Sequence, residues 1–393
     1  MTRLTIKDLD LRGKRVLMRV DFNVPLTPDL KVSDDTRIKA ALPTIKYALE
    51  QSAKVILMSH LGRPKGKVVE ELRLTPVAKR LSELLGQEVK KVDDCVGEEV
   101  ERAVSKLKEG EILLLENVRF HPEEEKNDPE FAKQLAKLGD VFINDAFGSC
   151  HRAHASVVGV PDYLPAAAGF LLMKEIEYFE KILHSPEKPF YAILGGAKVS
   201  DKIGVIENLL NLADKILIGG GMAYTFLKTQ GIPIGSSKLE EDKIEIAGQL
   251  LANAQKRDKK IILPQDHIVV EKIDPEAQTE IVGLEIPEGK IAVDIGPKTV
   301  EIFKQELKDT KMIVWNGPLG IFEMDKFATG TRQVAEFVVQ LPAIKVAGGG
   351  DTLACLEKFG LADKFDHVST GGGASLEYLE GKTLPGIAAL REK

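Results

Sequence analysis

Cysteine is scarce: the 393 residues hold three, Cys95, Cys150 and Cys355. They form no CxxC pair and no even framework, which excludes a fold built on disulfides and makes a reducing compartment, the cytoplasm, the expected location. Long apolar runs are missing as well. No stretch could span a bilayer, and the opening MTRLTIKDLDLRGKRVLMRV carries no apolar segment of the secretory kind. No membrane partner is expected. Nor is there an excess of positive charge: the net charge of −6 argues against a dedicated nucleic-acid binder, while leaving room for a local basic site for a small anion. Both common nucleotide fingerprints are absent. GxxxxGK[ST] does not occur, and GGGMAY (Gly219–Tyr224) lacks the GxGxxG spacing, so neither a P-loop nor a dinucleotide site of the usual kind is supported. Asp21-Phe22-Asn23 superficially resembles the protein-kinase DFG, but no HRD or APE segment follows.

What is present is a repeating order of short apolar runs and helical patterns. Runs rich in Val, Ile and Leu lie at 15–20, 55–58, 112–115, 141–143, 191–194, 216–218, 261–263, 291–293, 312–315 and 344–347. Each is continuous and bounded by Gly, Pro or charge, as buried parallel strands are. Helical spacing is found at 40–52, 75–85, 129–138, 201–212, 222–229 and 351–359. Strand alternating with helix predicts an α/β fold with parallel sheets, and ligands then sit beyond the carboxyl ends of the strands.

Those strand ends differ between the halves. The first half carries cations and polar groups: RVDFNVP (Arg19–Pro25), SHLGRP (Ser59–Pro64), ENVRF (Glu116–Phe120) and NDAFGSCHRAH (Asn144–His154). The second carries glycine: LGGAK (Leu194–Lys198), GGGMAY, NGPLGIFE (Asn316–Glu323), GGGDT (Gly348–Thr352) and STGGGAS (Ser369–Ser375). Arg37, Arg63, Arg119 and Arg152, each at a strand end or in a following loop, read with His60 and Asn23 as a basic pocket in an acidic protein. Guanidinium forks suit carboxylate and phosphate. A glycine-rich turn that opens a helix presents free N–H groups and the positive end of the helix dipole. A cluster of such loops is more than structural turns require. Lys198 and Lys202 of GGAKVSDKIG can neutralise phosphate charge. With a helix starting near Ser200, Lys202 lies on it and Lys198 in the turn before it. Asp351 caps its helix or holds Mg²⁺. Glu323 accepts from ribose hydroxyls or stabilises a helix dipole. The acidic run Glu123–Glu125 reads as a solvated loop, Trp315 as core, and His151 and His154 as hydrogen-bonded or anion-facing groups rather than zinc ligands. The segment 169–189, with an amphipathic stretch at 171–183 followed by HSPEKP, reads as a helical connector between domains.

RVDFNVP, SHLGRPKG, ENVRFHPEEEKND, NDAFGSCHRAHAS, GGAKVSDKI, WNGPLGIFE, GGGDT and HVSTGGGASLEYLEGK together resemble phosphoglycerate kinases, in order and over nearly the whole chain. The resemblance implies two Rossmann-like three-layer α/β domains with parallel sheets, facing across a cleft and joined by a connecting helix. The expected limits are 1–170 for a glycerate-binding domain, 171–185 for the helix and 186–379 for a nucleotide-binding domain, with 380–393 returning to the first. It implies reversible, Mg²⁺-dependent phosphoryl transfer between 1,3-bisphosphoglycerate with ADP and 3-phosphoglycerate with ATP, in a monomer. By matching motif, the glycerate ligand would meet Asp21, Phe22, Asn23, Arg37, His60, Leu61, Gly62, Arg63, Arg119 and Arg152. The nucleotide would meet Gly196, Lys198, Lys202, Glu323, Gly349, Gly350, Asp351 and Thr352, with Asp351 at the metal. Arg37, Lys198, Gly350 and Gly373 would surround the transferring group. Where the family often places glycine against adenosine, this chain has Ala292. Two other readings remain open from sequence: a kinase for another small acid, and a non-catalytic nucleotide-binding protein on the same fold.

Overall fold

The computed structural model describes residues 3–393. The strands are β1 (Arg15–Arg19), β2 (Lys54–Met58), β3 (Val89–Lys91), β4 (Ile112–Leu114), β5 (Val141–Asn144), β6 (Ala166–Ala168), β7 (Phe190–Leu194), β8 (Lys215–Ile218), β9 (Lys260–Ile262), β10 (His267–Val270), β11 (Glu280–Val282), β12 (Ile291–Ile295), β13 (Met312–Asn316), β14 (Ile344–Gly348) and β15 (His367–Val368). The chain divides into two compact units, one of residues 1–177 with 383–393 and the other of 178–382. The division falls inside the helix Phe170–His184.

The first unit holds a six-stranded sheet in the order β3-β4-β2-β1-β5-β6, paired in parallel throughout. Val16 of β1 stands beside Val55 and Val141, and Leu17 beside Ile56 and Phe142. Successive side chains point to opposite faces, and both sets are fully or almost fully buried, so both faces need cover. On one face the helix Thr36–Glu50 packs through Ile38, Ala41, Ile45 and Ala48, at spacings of three, four and three. Each large aliphatic buried in this way contributes roughly 1.5–3 kcal/mol.

The second unit has a parallel sheet in the order β15-β14-β13-β7-β8-β9. Its core joins Tyr191, Ile193, Ile313 and Trp315 to Phe303, Leu307, Val334 and Val338 of the helices Pro297–Leu307 and Thr329–Val338. The run at 291–293, read from sequence as one more parallel strand, belongs elsewhere: β12 pairs antiparallel with β10 in a separate sheet ordered β11-β10-β12. No described helix is long and apolar enough to cross a membrane.

Candidate active site

In the first unit, the motif residues meet at the carboxyl ends of β1, β2 and β4. Asp21 Oδ2 accepts from Arg37 Nη1 at 3.0 Å, and Asp21 Oδ1 accepts from the Asn23 N–H at 3.1 Å. Asn23 Oδ1 accepts from the Gly62 N–H at 2.8 Å, and the Gly62 carbonyl accepts from Arg119 Nη1 at 3.1 Å. One short peptide segment, 60–63, is thereby tied to two other strand ends. Arg37 is not in a loop, as its sequence position suggested. The helix begins earlier, at Thr36, whose N–H is held by Asp34 Oδ1 at 2.8 Å, so Arg37 sits in the first turn.

Phe22 and Leu61 are buried in the core, so their side chains are packing, and the Phe22 N–H is held by Ser59 Oγ at 2.9 Å. Arg63 and Arg152 are exposed, and Arg152 Nε lies 3.1 Å from His151 Nε2. Burial acts on Asp21 to raise its pKa. The charges of Arg37 and Arg19 and the Asn23 N–H outweigh it and hold the carboxyl below its usual range. Burial pushes His60 well below the usual imidazole value, and Arg19, Arg119 and Arg37 push it the same way against Asp21. His154, buried near Arg119, Arg19 and Arg152, falls to about 4, with burial the largest cause.

In the second unit, the glycine loops after β7, β8 and β13 rest on one another main chain to main chain. A Cβ on Gly195 would lie 2.1 Å from the Pro318 carbonyl oxygen, and one on Gly317, at φ +96°, 2.2 Å from the Gly195 oxygen. Part of the glycine clustering is therefore structural, contrary to the expectation that turns alone would not need it. Gly350 is different. It opens the helix Gly350–Lys358, and a Cβ there meets nothing within 4 Å, so internal packing does not demand glycine.

Thr352 Oγ1 donates to the Gly348 carbonyl and accepts from the Gly317 N–H, both at 2.7 Å, and so bolts the GGGDT turn to the NGPLG turn. Lys202 stands at the N-cap position ahead of the helix Ile203–Leu212, not on it. Its ammonium is buried and donates to Asn316 Oδ1, while Asn316 Nδ2 donates to the Gly348 carbonyl at 2.8 Å. Burial lowers the Lys202 pKa to about 8, against the opposing pull of Asp201 and Asp351. Lys198 is exposed in the preceding turn. That turn is fastened by Ser200, which donates through Oγ and N–H to the Glu240 carboxylate at 2.6 and 3.1 Å.

Beside these loops lies a cavity of about 310 Å³. Gly196, Asp351, Glu323 and Lys238 supply its polar edge, and Ile291, Ala292, Val293, Phe322 and Tyr224 its apolar wall. Its size and mixed lining suit a ligand with one flat apolar part and one charged part. A larger cavity, about 600 Å³, lies between residues 30–35 and the helix Thr75–Leu85. It contains none of the motif residues, and its charges pair among themselves: Asp35 with Lys39 at 2.8 Å and with Arg80 at 2.7 Å.

Sequence reasoning missed three residues. Arg19 was passed over although it opens the RVDFNVP motif, and it is fully buried. Glu124, assigned to a solvated loop, is fully buried and accepts from the Ser156 N–H at 2.8 Å and the Ser156 hydroxyl at 2.5 Å. Asn316, the partner of Lys202, was visible only as a polar residue ending an apolar strand.

A family model described as phosphoglycerate kinase matches residues 6–382. The chain is 59% identical to the phosphoglycerate kinase of Moorella thermoacetica, over 100% of both chains, and 57% identical to that of Dictyoglomus turgidum, over 100% of this chain and 99% of the other. Among solved structures, it is similar to phosphoglycerate kinase from Coxiella burnetii, with TM-score 0.89 and 42% identity over 98% of each chain. It is similar also to the enzyme from Pyrococcus horikoshii, with TM-score 0.87 and 35% identity over 98% of each.

Proposed function

Since the chain belongs to the phosphoglycerate kinase family, and so is a kinase that transfers phosphate to a carboxylate, we propose the following division of labour among its residues. The first unit binds the three-carbon acid through Asp21, Asn23, Arg37, His60, Arg63, Arg119 and Arg152 and the backbone of residues 22, 61 and 62. The second binds ATP or ADP in the 310 Å³ cavity and on the loops beside it, through Gly196, Lys198, Lys202, Glu323 and residues 349–352. The observation that carries this is the linked set Arg37–Asp21–Asn23–Gly62–Arg119, which gathers two guanidinium groups around one backbone turn.

Phosphoryl transfer from ATP to the C1 carboxylate of 3-phosphoglycerate forms one P–O bond and breaks another. The acceptor is already ionised at neutral pH, so no general base is needed. What the protein must supply is alignment and compensation for charge on the equatorial oxygens. Arg37 and Lys198 flank the moving group in this scheme, and N–H groups at the helix starts near Gly350 and Gly373 add fixed dipoles. Direct in-line transfer requires the two ligands to come into contact, so hinge closure accompanies turnover and excludes water. Asp351, an exposed carboxylate lining the cavity, fits Mg²⁺, which takes one or two carboxylates beside nucleotide phosphates. When bound, the ion would supply positive charge to offset that of the nucleotide phosphates.

The test is a coupled assay with ATP, Mg²⁺ and 3-phosphoglycerate, in which excess glyceraldehyde-3-phosphate dehydrogenase turns each 1,3-bisphosphoglycerate into loss of NADH. Turnover that needs both Mg²⁺ and 3-phosphoglycerate is expected. A protein that binds ATP but gives no turnover would move the assignment to another acid.

A further inference from the structure

Behind the first cation set lies a buried ionic group that the scheme above does not use. Arg19 ends β1 with no exposed surface. Its guanidinium donates to the Val20 carbonyl and, through Nε, to Ser156 Oγ at 2.8 Å. Its Nη2 lies 3.1 Å from His60 Nδ1 and 3.5 Å from Ser149 Oγ. Ser156 passes its own hydroxyl proton towards Glu124, and Glu124 and Asp21 are the charges that favour the Arg19 cation against burial.

A guanidinium has donors and no acceptor. The Arg19–His60 contact is a hydrogen bond only if His60 Nδ1 is the acceptor. The ring is then neutral and carries its proton on Nε2. A free imidazole exchanges between its two neutral forms and its cation. Here the guanidinium selects one form, and the Ser156–Glu124 pair fixes the guanidinium. Lysine could not replace it, because one ammonium cannot serve the Val20, Ser156 and His60 sites in the same fork geometry.

We propose that Arg19 is a positioning residue that locks His60 as the neutral Nε2–H tautomer, giving the acid-binding pocket a hydrogen-bond donor of fixed direction for a ligand oxygen anion. The inference rests on the placement of His60 in the 3-phosphoglycerate pocket. Its role differs from that of the exposed Arg63 and Arg152, which meet an anion as charges. Arg19 acts through His60 and does not touch the ligand.

The test uses the full chain labelled with ¹⁵N-histidine, with ring nitrogens read by long-range ¹H–¹⁵N correlation and the His60 signals identified by their loss in His60→Gln. The wild type should show the Nε2–H tautomer alone between pH 6 and 8. Arg19→Lys should show mixed tautomers, with KM for 3-phosphoglycerate raised at least about tenfold and KM for ATP changed by less than about twofold. An Nδ1–H ring or an imidazolium in the wild type would overturn the proposal without recourse to any variant. So would an unmixed Nε2–H signal in folded Arg19→Lys. Titration with 3-phosphoglycerate tests the underlying placement separately: His60 signals that do not move at saturating ligand would remove His60 from the pocket, whatever its tautomer.

Discussion

Lys202 is held in the folded protein at a cost, and that cost has a pH signature. Its pKa drops from 10.5 to about 8 because the ammonium is taken out of water. Each pKa unit corresponds to about 1.4 kcal/mol, so the charged form costs folding roughly 3 kcal/mol at neutral pH. The sign follows from proton counting. Below pH 8 the lysine is protonated in both folded and unfolded chains and the full penalty applies. Between 8 and 10.5 the unfolded chain binds more protons, so stability rises with pH, and above 10.5 the penalty is gone. Lys202→Met removes the titration but leaves Asn316 Oδ1 without its donor, a cost of about 1–3 kcal/mol that does not vary with pH. Subtracting the two stability curves cancels that constant. Chemical unfolding of both proteins without nucleotide, at intervals from pH 7 to 10.5, should give a difference that is flat below 8 and then moves in favour of the wild type by roughly 3 kcal/mol. Parallel curves across the whole range would refute the claim that burial displaces this lysine. Lys202→Met should also lose ATP binding, so the nucleotide-competent protein is the one that carries the penalty.

Arg37→Ala and Lys198→Ala should each lower kcat by at least about 10², a few kcal/mol of electrostatic stabilisation, in the coupled assay; near-normal kcat would remove that residue from the transfer step. Arg63→Ala should mainly raise KM for 3-phosphoglycerate, and an unchanged KM would exclude it from the pocket. Gly317→Ala should destabilise by at least about 2 kcal/mol in chemical unfolding, since its positive φ alone costs 1–2 kcal/mol and the added carbon strikes the Gly195 carbonyl. Gly350→Ala should leave stability within about 0.5 kcal/mol, or raise it, because the added methyl meets no other part of the protein within 4 Å, yet lower kcat if the proposed scheme, with its helix start aimed at the transferring group, is right. Chelating divalent cations should abolish turnover while leaving the melting temperature of the nucleotide-free protein unchanged.

The central strands were legible in the sequence because parallel strands buried on both faces leave continuous Val, Ile and Leu runs, as in VILM of β2 and ILL of β4. Of the edge strands, β9 carries part of such a run, but β3, β6 and β15 leave no such mark. The Ala166–Ala168 segment of β6 has no strand propensity of its own and is extended because β5 lies beside it. Parallel and antiparallel partners also look alike in one strand, so the run Ile291–Val293 does not reveal that it pairs antiparallel with β10 in a separate sheet. At the site, the exposed cations and glycines announced themselves by type and clustering. Glu124 did not. In PEEE all three carboxylates look equally solvated, and only the fold sets one of them against Ser156 and the buried Arg19. Asn316 was hidden in a similar way, since its partner Lys202 comes 114 residues earlier.

The first unit is interrupted: its last piece, Thr383–Lys393, is made after the whole of the second. Gly386 fits against Cys150 and Val157, where a Cβ would lie 2.7–3.0 Å from their atoms, and its N–H is held by the Cys150 carbonyl at 2.8 Å. The Leu4 N–H meets the Arg391 carbonyl at 3.0 Å, and Arg3 Nη1 the Leu390 carbonyl at 2.8 Å. On the ribosome, then, the rest of the first unit is made before its closing segment, with some two hundred codons between them. The neighbouring ends also make the chain a natural subject for circular permutation. A short linker between residues 393 and 3, with new termini opened between residues 382 and 383, would let the first unit be synthesised in one continuous passage, and comparison of refolding with translation-coupled folding would show what the wait costs.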